Sequence, residues 1–111
     1  MVPLGGIGIL LWAGMLQDSP ASNNLLINNN VNNNELGGIV LFHTHGDTLK
    51  NNSVGSNHSG IDALSSDNIG IYLNTVADNS GDDSAAGIYL GSAASASEKE
   101  NTISNNKVGF I

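Results

Sequence analysis

The sequence predicts an all-β chain wound as a right-handed parallel β-helix, a solenoid of about four coils. Three observations carry this prediction: a five-residue step that recurs along the chain, a Gly-Ile-x-Leu pattern between the steps, and a composition poor in charge. Only 12% of the 111 residues are charged, whereas Asn, Gly and Ser are abundant. Such a composition indicates many short strands joined by tight turns rather than long helices.

The recurring step has the form Thr-aliphatic-x-Asn/Asp-Asn. It occurs at residues 48–52, 75–79 and 102–106, and residues 26–30 depart from it only at the Thr. The aliphatic positions 27, 49, 76 and 103 are 22 or 27 residues apart. A repeat of this length is too short for a pair of helices, but it holds two or three short strands with their turns. Each repeat is therefore predicted to form one coil of a solenoid.

The Gly-Ile-x-Leu pattern occurs at residues 38–41, at 60–64 with one extra residue, and at 87–90. An earlier copy at 8–11 makes the apolar N-terminal segment the first coil, and a further copy at 70–73 predicts an insertion or a second long strand. Aliphatic residues at alternate positions of a strand point to one side, which predicts stacked interior columns. The residues expected to be buried are Ile39, Leu41, Leu49, Ile61, Val76, Ile88, Leu90 and Ile103. Those expected to be exposed are Asp62, Asp82 and Asp83.

The Asn residues that close the steps have two predicted roles. Asn tolerates the left-handed backbone conformation of tight turns. Identical amides stacked at coil spacing can also hydrogen-bond to one another as a ladder, which satisfies polar groups in the interior. We expect such a ladder to contain Asn30, Asn52, Asn79 and Asn106. The alternative is that these residues populate exposed turns.

The charge distribution argues against several partners. The net charge is −7 with three Lys and no Arg, which leaves no basic stripe for the phosphates of nucleic acid or of an anionic membrane. The chain has no Cys, so neither a disulfide nor a thiolate metal site can form. Residues 1–16 are apolar, but this run is too short to predict a membrane span.

The repeats resemble those of right-handed parallel β-helix proteins of the pectin-lyase-like superfamily. They also resemble the Asn-rich repeats of periplasmic copper-binding accessory proteins of the NosD type. The resemblance covers residues 8–111. The resemblance specifies the fold and not one function, because this superfamily includes polysaccharide lyases, hydrolases, epimerases, surface adhesins and proteins of unknown role.

The densest group of potential metal ligands is His43, His45 and Asp47, in the segment His-Thr-His-Gly-Asp. In an extended segment, alternate positions would place both imidazoles on one side, followed by a carboxylate. The hypothesis is a divalent metal site for Cu²⁺ or Zn²⁺, and the alternative is a solvated turn. The resemblance to copper-handling β-helix proteins favours the metal. No other cofactor is predicted.

Tyr72 and Tyr89 both occupy the x of Gly-Ile-x-Leu, where a side chain faces outward, and Asp62 comes close to the same position on the intervening coil. Exposed rings can stack on sugar faces, so these three are the predicted polysaccharide-binding residues. The segment Gly81-Asp82-Asp83-Ser84 offers paired carboxylates for Ca²⁺ or for acid–base chemistry on a sugar, with an acidic turn in water as the alternative. The resemblance implies Arg, Gly-His-Gly or Asp-Pro-His-Glu elements in the superfamily's enzymes, and this chain has none. No catalytic residue is predicted.

The sequence therefore predicts a non-catalytic extracytoplasmic module, extracellular or periplasmic, that binds polysaccharide or a cell-surface partner. The alternatives are a portion of a carbohydrate-active enzyme, namely a lyase, hydrolase or epimerase, and a copper- or zinc-handling module. Residues 1–111 are expected to form one domain. Because both ends are apolar and lack a polar cap, we expect either a fragment of a longer solenoid or end-to-end self-association through the Trp12 coil or the Phe110 edge.

Overall fold

The computed structural model describes residues 6–12, 21–81, 86–91, 95–104, 106 and 108–110. Every regular element in these ranges is a β-strand. The strands are β1 (Ile7–Trp12), β2 (Ala21–Ser22), β3 (Leu25–Ile27), β4 (Asn30–Asn32), β5 (Gly37–Phe42), β6 (Thr44–His45), β7 (Thr48–Lys50), β8 (Ser53–Gly55), β9 (Ile61–Leu64), β10 (Ile69–Tyr72), β11 (Thr75–Ala77), β12 (Ala86–Leu90), β13 (Ala96–Lys99), β14 (Thr102–Ser104) and β15 (Val108–Phe110).

The strands stack into three main sheets, and every pairing is parallel. The wide sheet has the order β1-β5-β9-β12-β15, the second sheet β13-β10-β7-β3 and the third sheet β14-β11-β8-β4; β2 and β6 pair separately. Strands that follow one another along the chain lie in different sheets, so the chain visits each sheet in turn and returns one level further along. The predicted all-β parallel solenoid is confirmed.

The hydrogen-bonded Asn residues measure the length of each coil. Asn29, Asn52, Asn74 and Asn101 lie one above another, at separations of 23, 22 and 27 residues, so three full turns separate the first from the last.

The structure corrects the register inferred from the repeated step. Thr48 is paired with Gly70 and Thr75 with Ser53, so the steps at 48–52 and 75–79 belong to different sheets. The copy at 70–73 is mostly the regular strand β10 rather than an insertion.

The interior is filled by the predicted aliphatic columns. Six of the eight residues expected to be buried are fully enclosed: Ile39, Leu41, Leu49, Ile61, Val76 and Ile88. Leu90 and Ile103 are partly buried and pack against this core. Asp62 was expected to be exposed and is instead half-buried, while Asp82 and Asp83 lie outside the described residues.

The Gly of the Gly-Ile-x-Leu pattern lies where neighbouring coils touch. A Cβ on Gly38 would lie 2.5 Å from Cγ1 of Val54 and 2.7 Å from the carbonyl oxygen of Gly60. Gly60 is crowded in the same way, by the carbonyl oxygen of Gly87 and by Cγ1 of Val76 at 2.6 Å. The Gly is therefore required because no side chain fits between the stacked coils.

Two corners of each coil share one local design, a residue with positive φ followed by an inward-pointing Asn. The left-handed residue is most often Asn, which accepts this conformation more readily than other side chains because its short amide can bond locally. Positive φ is found at Asn28, Asn33, Asn51, Ser56, Leu73, Asp78 and Glu100, each of which precedes such an Asn. The step ending in Asn-Asn therefore encodes a corner of the solenoid.

The inward Asn residues form two ladders rather than the predicted single one. One ladder contains Asn29, Asn52, Asn74 and Asn101, and the other contains Asn34, Asn57, Asn79 and Asn106. In both, the Nδ2 of each of the first three Asn residues donates to the Oδ1 one level on, at 2.8–3.1 Å. The prediction was right for Asn52, Asn79 and Asn106, although they belong to different ladders. It was wrong for Asn30, which is exposed in β4 because the inward residue at that corner is Asn29.

Candidate functional site

The outward face of the wide sheet carries an apolar surface that crosses four strands. One outward column runs through Leu10, Val40, Asp62 and Tyr89, which are paired in register on β1, β5, β9 and β12. We call this column, together with the neighbouring one formed by Trp12, Phe42 and Leu64, the outward patch. Apolar side chains exposed together on one face indicate a surface that contacts a ligand or partner.

Aromatic rings give the outward patch its shape. The Trp12 and Phe42 rings meet edge to face, with centroids 6.5 Å apart and an interplanar angle of 69°. Trp12 remains 53% exposed and Tyr89 36% exposed. Both rings therefore have accessible surface for stacking against a flat ligand.

Asp62 is the carboxylate of the outward patch, set between Val40 and Tyr89 on the neighbouring strands. The Ser59 hydroxyl donates a hydrogen bond to Oδ2 of Asp62. Burial raises the pKa of Asp62 above its ordinary value, and this effect exceeds the lowering caused by the Ser59 hydrogen bond and by the nearby His58. The patch thus offers a partly desolvated carboxyl group beside aromatic surface.

The predicted binding residues are only partly brought together. Asp62 and Tyr89 face each other in register on the wide sheet, whereas Tyr72 lies on β10 of the second sheet. The ring of Tyr72 covers Gly70, since a Cβ on Gly70 would lie 2.5 Å from Cε2 of the ring. Tyr72 departs from the expectation because residues 70–72 belong to β10, a strand of a different sheet.

The three predicted metal ligands are His43, His45 and Asp47. Within the described ranges, no group of three or more His, Cys, Asp or Glu side chains is placed to hold a metal ion. His43 has a φ of 57°, which interrupts the extended segment on which the prediction depended. The exposed His45 has its Nδ1 2.8 Å from Oδ1 of Asp67 on the next coil, and Asp47 is fully buried. The structure therefore does not assemble His43, His45 and Asp47 into one site.

Comparison with known families matches residues 5–111 to the family model described as "Right handed beta helix region". The match spans nearly the whole chain and agrees with the parallel stacking of the strands. The chain belongs to the right-handed β-helix family. Comparison with curated proteins and with solved structures finds no match to this β-helix. Among the described residues of the β-helix, none forms a helix with the length and hydropathy needed to cross a bilayer.

Sequence reasoning missed most of the outward patch, although a signal for it exists. When the four Gly-Ile-x-Leu copies that lie on the wide sheet are aligned on their Ile, the x position reads Leu10, Val40, Asp62 and Tyr89. The position two residues later reads Trp12, Phe42, Leu64 and Gly91. Reading the outward positions of every coil together, rather than the Tyr residues alone, would have predicted an apolar face.

Asp47 occupies the position of a ladder Asn in the β-helix. Its Oδ1 accepts hydrogen bonds from the backbone N and the Nδ2 of Asn24, at 2.8 and 2.9 Å. In the complete ladders, Asn52 and Asn57 use Nδ2 to donate to the carbonyl oxygens of Leu26 and Val31. The corresponding Oδ2 of Asp47 cannot donate as a carboxylate oxygen, and it is buried without a hydrogen-bond partner among the described residues.

We expect Asp47→Asn to stabilise the β-helix by about 1 kcal/mol, because the unpaired acceptor Oδ2 is replaced by an Nδ2 that can donate to a backbone carbonyl oxygen, as the Nδ2 atoms of Asn52 and Asn57 do. A gain of that size corresponds to a rise in melting temperature of roughly 4–8 °C for a domain of this size. Circular dichroism melts at pH 7 would measure the rise. Glu35→Gln, which removes an exposed carboxylate, controls for the change in net charge. Equal shifts in the two variants would contradict the ladder explanation.

Proposed function

We propose that the chain is a non-catalytic extracytoplasmic module, extracellular or periplasmic, that binds polysaccharide through the outward patch. One observation carries the proposal: the Asp62 carboxyl group is held among exposed aromatic and aliphatic side chains on a wide sheet face. Aromatic rings stack on the apolar faces of sugars, and a carboxyl group accepts hydrogen bonds from their hydroxyl groups. Together they supply both kinds of contact that a sugar ring needs.

The low basic charge of the chain supports a neutral ligand at this face. The outward patch contains one acidic side chain, and no Lys or Arg is part of it. An acidic polymer would meet the Asp62 carboxyl group without a compensating cation. Neutral glycans, whose hydroxyl groups both donate and accept hydrogen bonds, therefore fit the outward patch better than acidic ones.

Tyr89→Ala is expected to weaken glycan binding about tenfold, because loss of one stacked ring removes roughly 1.4 kcal/mol. Trp12 is the only Trp in the chain and lies on the outward patch, so its fluorescence reports binding directly. A glycan array would first select a neutral oligosaccharide, and fluorescence titration would then give the dissociation constants.

Tyr72→Ala is the matched control, because it removes the other Tyr of the chain from a different sheet. Its dissociation constant should equal that of the wild type. If the array shows no glycan, or if the two Tyr variants bind equally well, the outward patch is not a polysaccharide site.

A second candidate function, as part of a carbohydrate-active enzyme, is favoured by the raised pKa of Asp62. A carboxyl group with a raised pKa is suited to general acid catalysis on a glycosidic bond. Asp62→Asn separates the two candidates. In a binding module the variant retains part of its affinity and the wild type leaves the oligosaccharide intact. In an enzyme the wild type cleaves the selected oligosaccharide, and Asp62→Asn abolishes the cleavage.

A further inference from the structure

The second sheet carries a different outward column, in which Tyr72 stands between two cations. Tyr72 is paired in register with Lys50 on one neighbouring strand and with Lys99 on the other. Since neighbouring strands lie about 4.8 Å apart, the two Lys Cα atoms are separated by roughly 10 Å across the Tyr. The chain has three Lys or Arg residues and a net charge of −7, so this column gathers most of its positive charge.

A groove of about 170 Å³ opens beside this column. It is lined by Lys50, Tyr72, Leu73, Lys99 and Glu100. One side of the Tyr72 ring covers Gly70, so the ring lies along the strand as part of the groove wall. The long methylene stems of the two Lys side chains add apolar surface, while their ammonium groups reach the solvent.

Leu73 gives independent support for a ligand in this groove. It has a φ of 57° and is 42% exposed, which is unfavourable for a branched apolar side chain on both counts. At the same corner, the other levels carry Asn28, Asn51 and Glu100, all polar, at φ values of 60°, 56° and 58°. Leu73 combines an unfavourable backbone conformation with an exposed apolar side chain. This combination indicates that the Leu73 side chain contacts a ligand in the groove.

We propose that this groove binds a small organic anion with a flat apolar body, an aromatic carboxylate being the plainest case. The ring of the ligand lies against Tyr72 and Leu73, and its carboxylate is paired with the ammonium groups of Lys50 and Lys99. Lys99 already contacts Glu100, with Nζ 3.8 Å from Oε1, but both side chains are well exposed. Such a surface pair is weak, so a ligand carboxylate can displace Glu100 from Lys99.

This site is separate from the outward patch in both position and ligand charge. The outward patch lies on the wide sheet and contains the Asp62 carboxyl group, whereas the groove lies on the second sheet and is flanked by two Lys. The two Tyr variants therefore exchange roles between the sites. Tyr72→Ala should abolish anion binding at the groove, and Tyr89→Ala should leave it unchanged.

The test is a titration of the ¹⁵N-labelled chain, followed by amide chemical shifts, with three probes of matched shape. Benzoate should shift the amides of residues 50, 72, 73 and 99 and saturate. Benzyl alcohol should bind at least roughly threefold more weakly than benzoate, because it lacks the carboxylate of an exposed ion pair, which contributes a fraction of a kcal/mol to about 1 kcal/mol. Benzylammonium should bind more weakly still, because the two Lys side chains repel its positive charge.

Two charge variants make the result independent of folding defects at Tyr72. Lys99→Gln should weaken benzoate binding about threefold, and Glu100→Gln should strengthen it by a similar factor, because the competing carboxylate is removed. Equal binding of benzoate and benzyl alcohol, shifts confined to other sheets, or unchanged affinity in both variants would each overturn the proposal.

Discussion

Replacing Asn52 with Ala is expected to lower the free energy of unfolding by about 3 kcal/mol, because several buried groups would lose their hydrogen-bond partners together. Asn52 is only 2% exposed. Its Oδ1 accepts from the backbone N and the Nδ2 of Asn29, both at 3.0 Å. Its Nδ2 donates to the carbonyl oxygen of Leu26 at 3.0 Å and to Oδ1 of Asn74 at 2.9 Å.

Urea denaturation followed by circular dichroism would measure this loss. The control is Asn30→Ala, which removes an exposed Asn from the neighbouring strand outside both ladders. Its effect should stay within about 0.5 kcal/mol, as is usual for surface substitutions. A loss at Asn52 no larger than the loss at Asn30 would mean that the ladder adds little to the stability of the solenoid.

Gly60→Ala is expected to be more damaging still, with a loss above about 4 kcal/mol and little folded protein at 37 °C. The added Cβ would overlap the carbonyl oxygen of Gly87 and would approach Cγ1 of Val76 to 2.6 Å. The first obstacle is backbone, so it cannot move without opening the parallel pairing of β9 and β12. Gly60 has no positive φ, so the effect is steric rather than conformational.

The matched control for this substitution is Gly6→Ala, because a Cβ on Gly6 would meet no atom within 4 Å. Thermal melts of the two variants beside the wild type give the comparison. A Gly60→Ala variant that melts within a few degrees of the Gly6→Ala variant would show that the coils can separate to admit a methyl group. The close contact at Gly60 would then have no energetic significance.

The parallel solenoid could be predicted because its requirements are local and repeat along the chain. An inward aliphatic residue, a left-handed turn residue and an inward Asn follow one another at each corner, and the same order appears in the sequence. The register could not be predicted, because two corners of every coil have this same requirement. Thr48 and Thr75 begin equivalent steps, yet the structure pairs them with Gly70 and Ser53.

The candidate sites show the same division between local and long-range information. Outward orientation was predicted for Tyr89 from strand alternation alone, and the pairing with Asp62 followed from stacking the copies of one pattern. The position of Tyr72 depended on the sheet to which its strand belongs, which alternation does not specify. The inward orientation of Asp47 depended on the corner at Gly46, where φ is 72° and the alternation is reset. Side chains next to a corner are therefore the ones whose direction a pattern alone predicts poorly.

The unequal coil lengths bear on how such a chain can change. Asn57 and Asn79 are 22 residues apart, whereas Asn79 and Asn106 are 27 apart, yet both pairs make the same ladder hydrogen bonds. The pairing of Ile61 with Ile88 places the additional length between Asn79 and Ala86, at a single corner. The ladder and the strands therefore form with either length of chain between Asn79 and Ala86, since lengthening a connection costs little entropy. Foreign peptides grafted at this corner would be carried on an unaltered scaffold, which makes it the natural attachment point for an epitope or an engineered recognition loop.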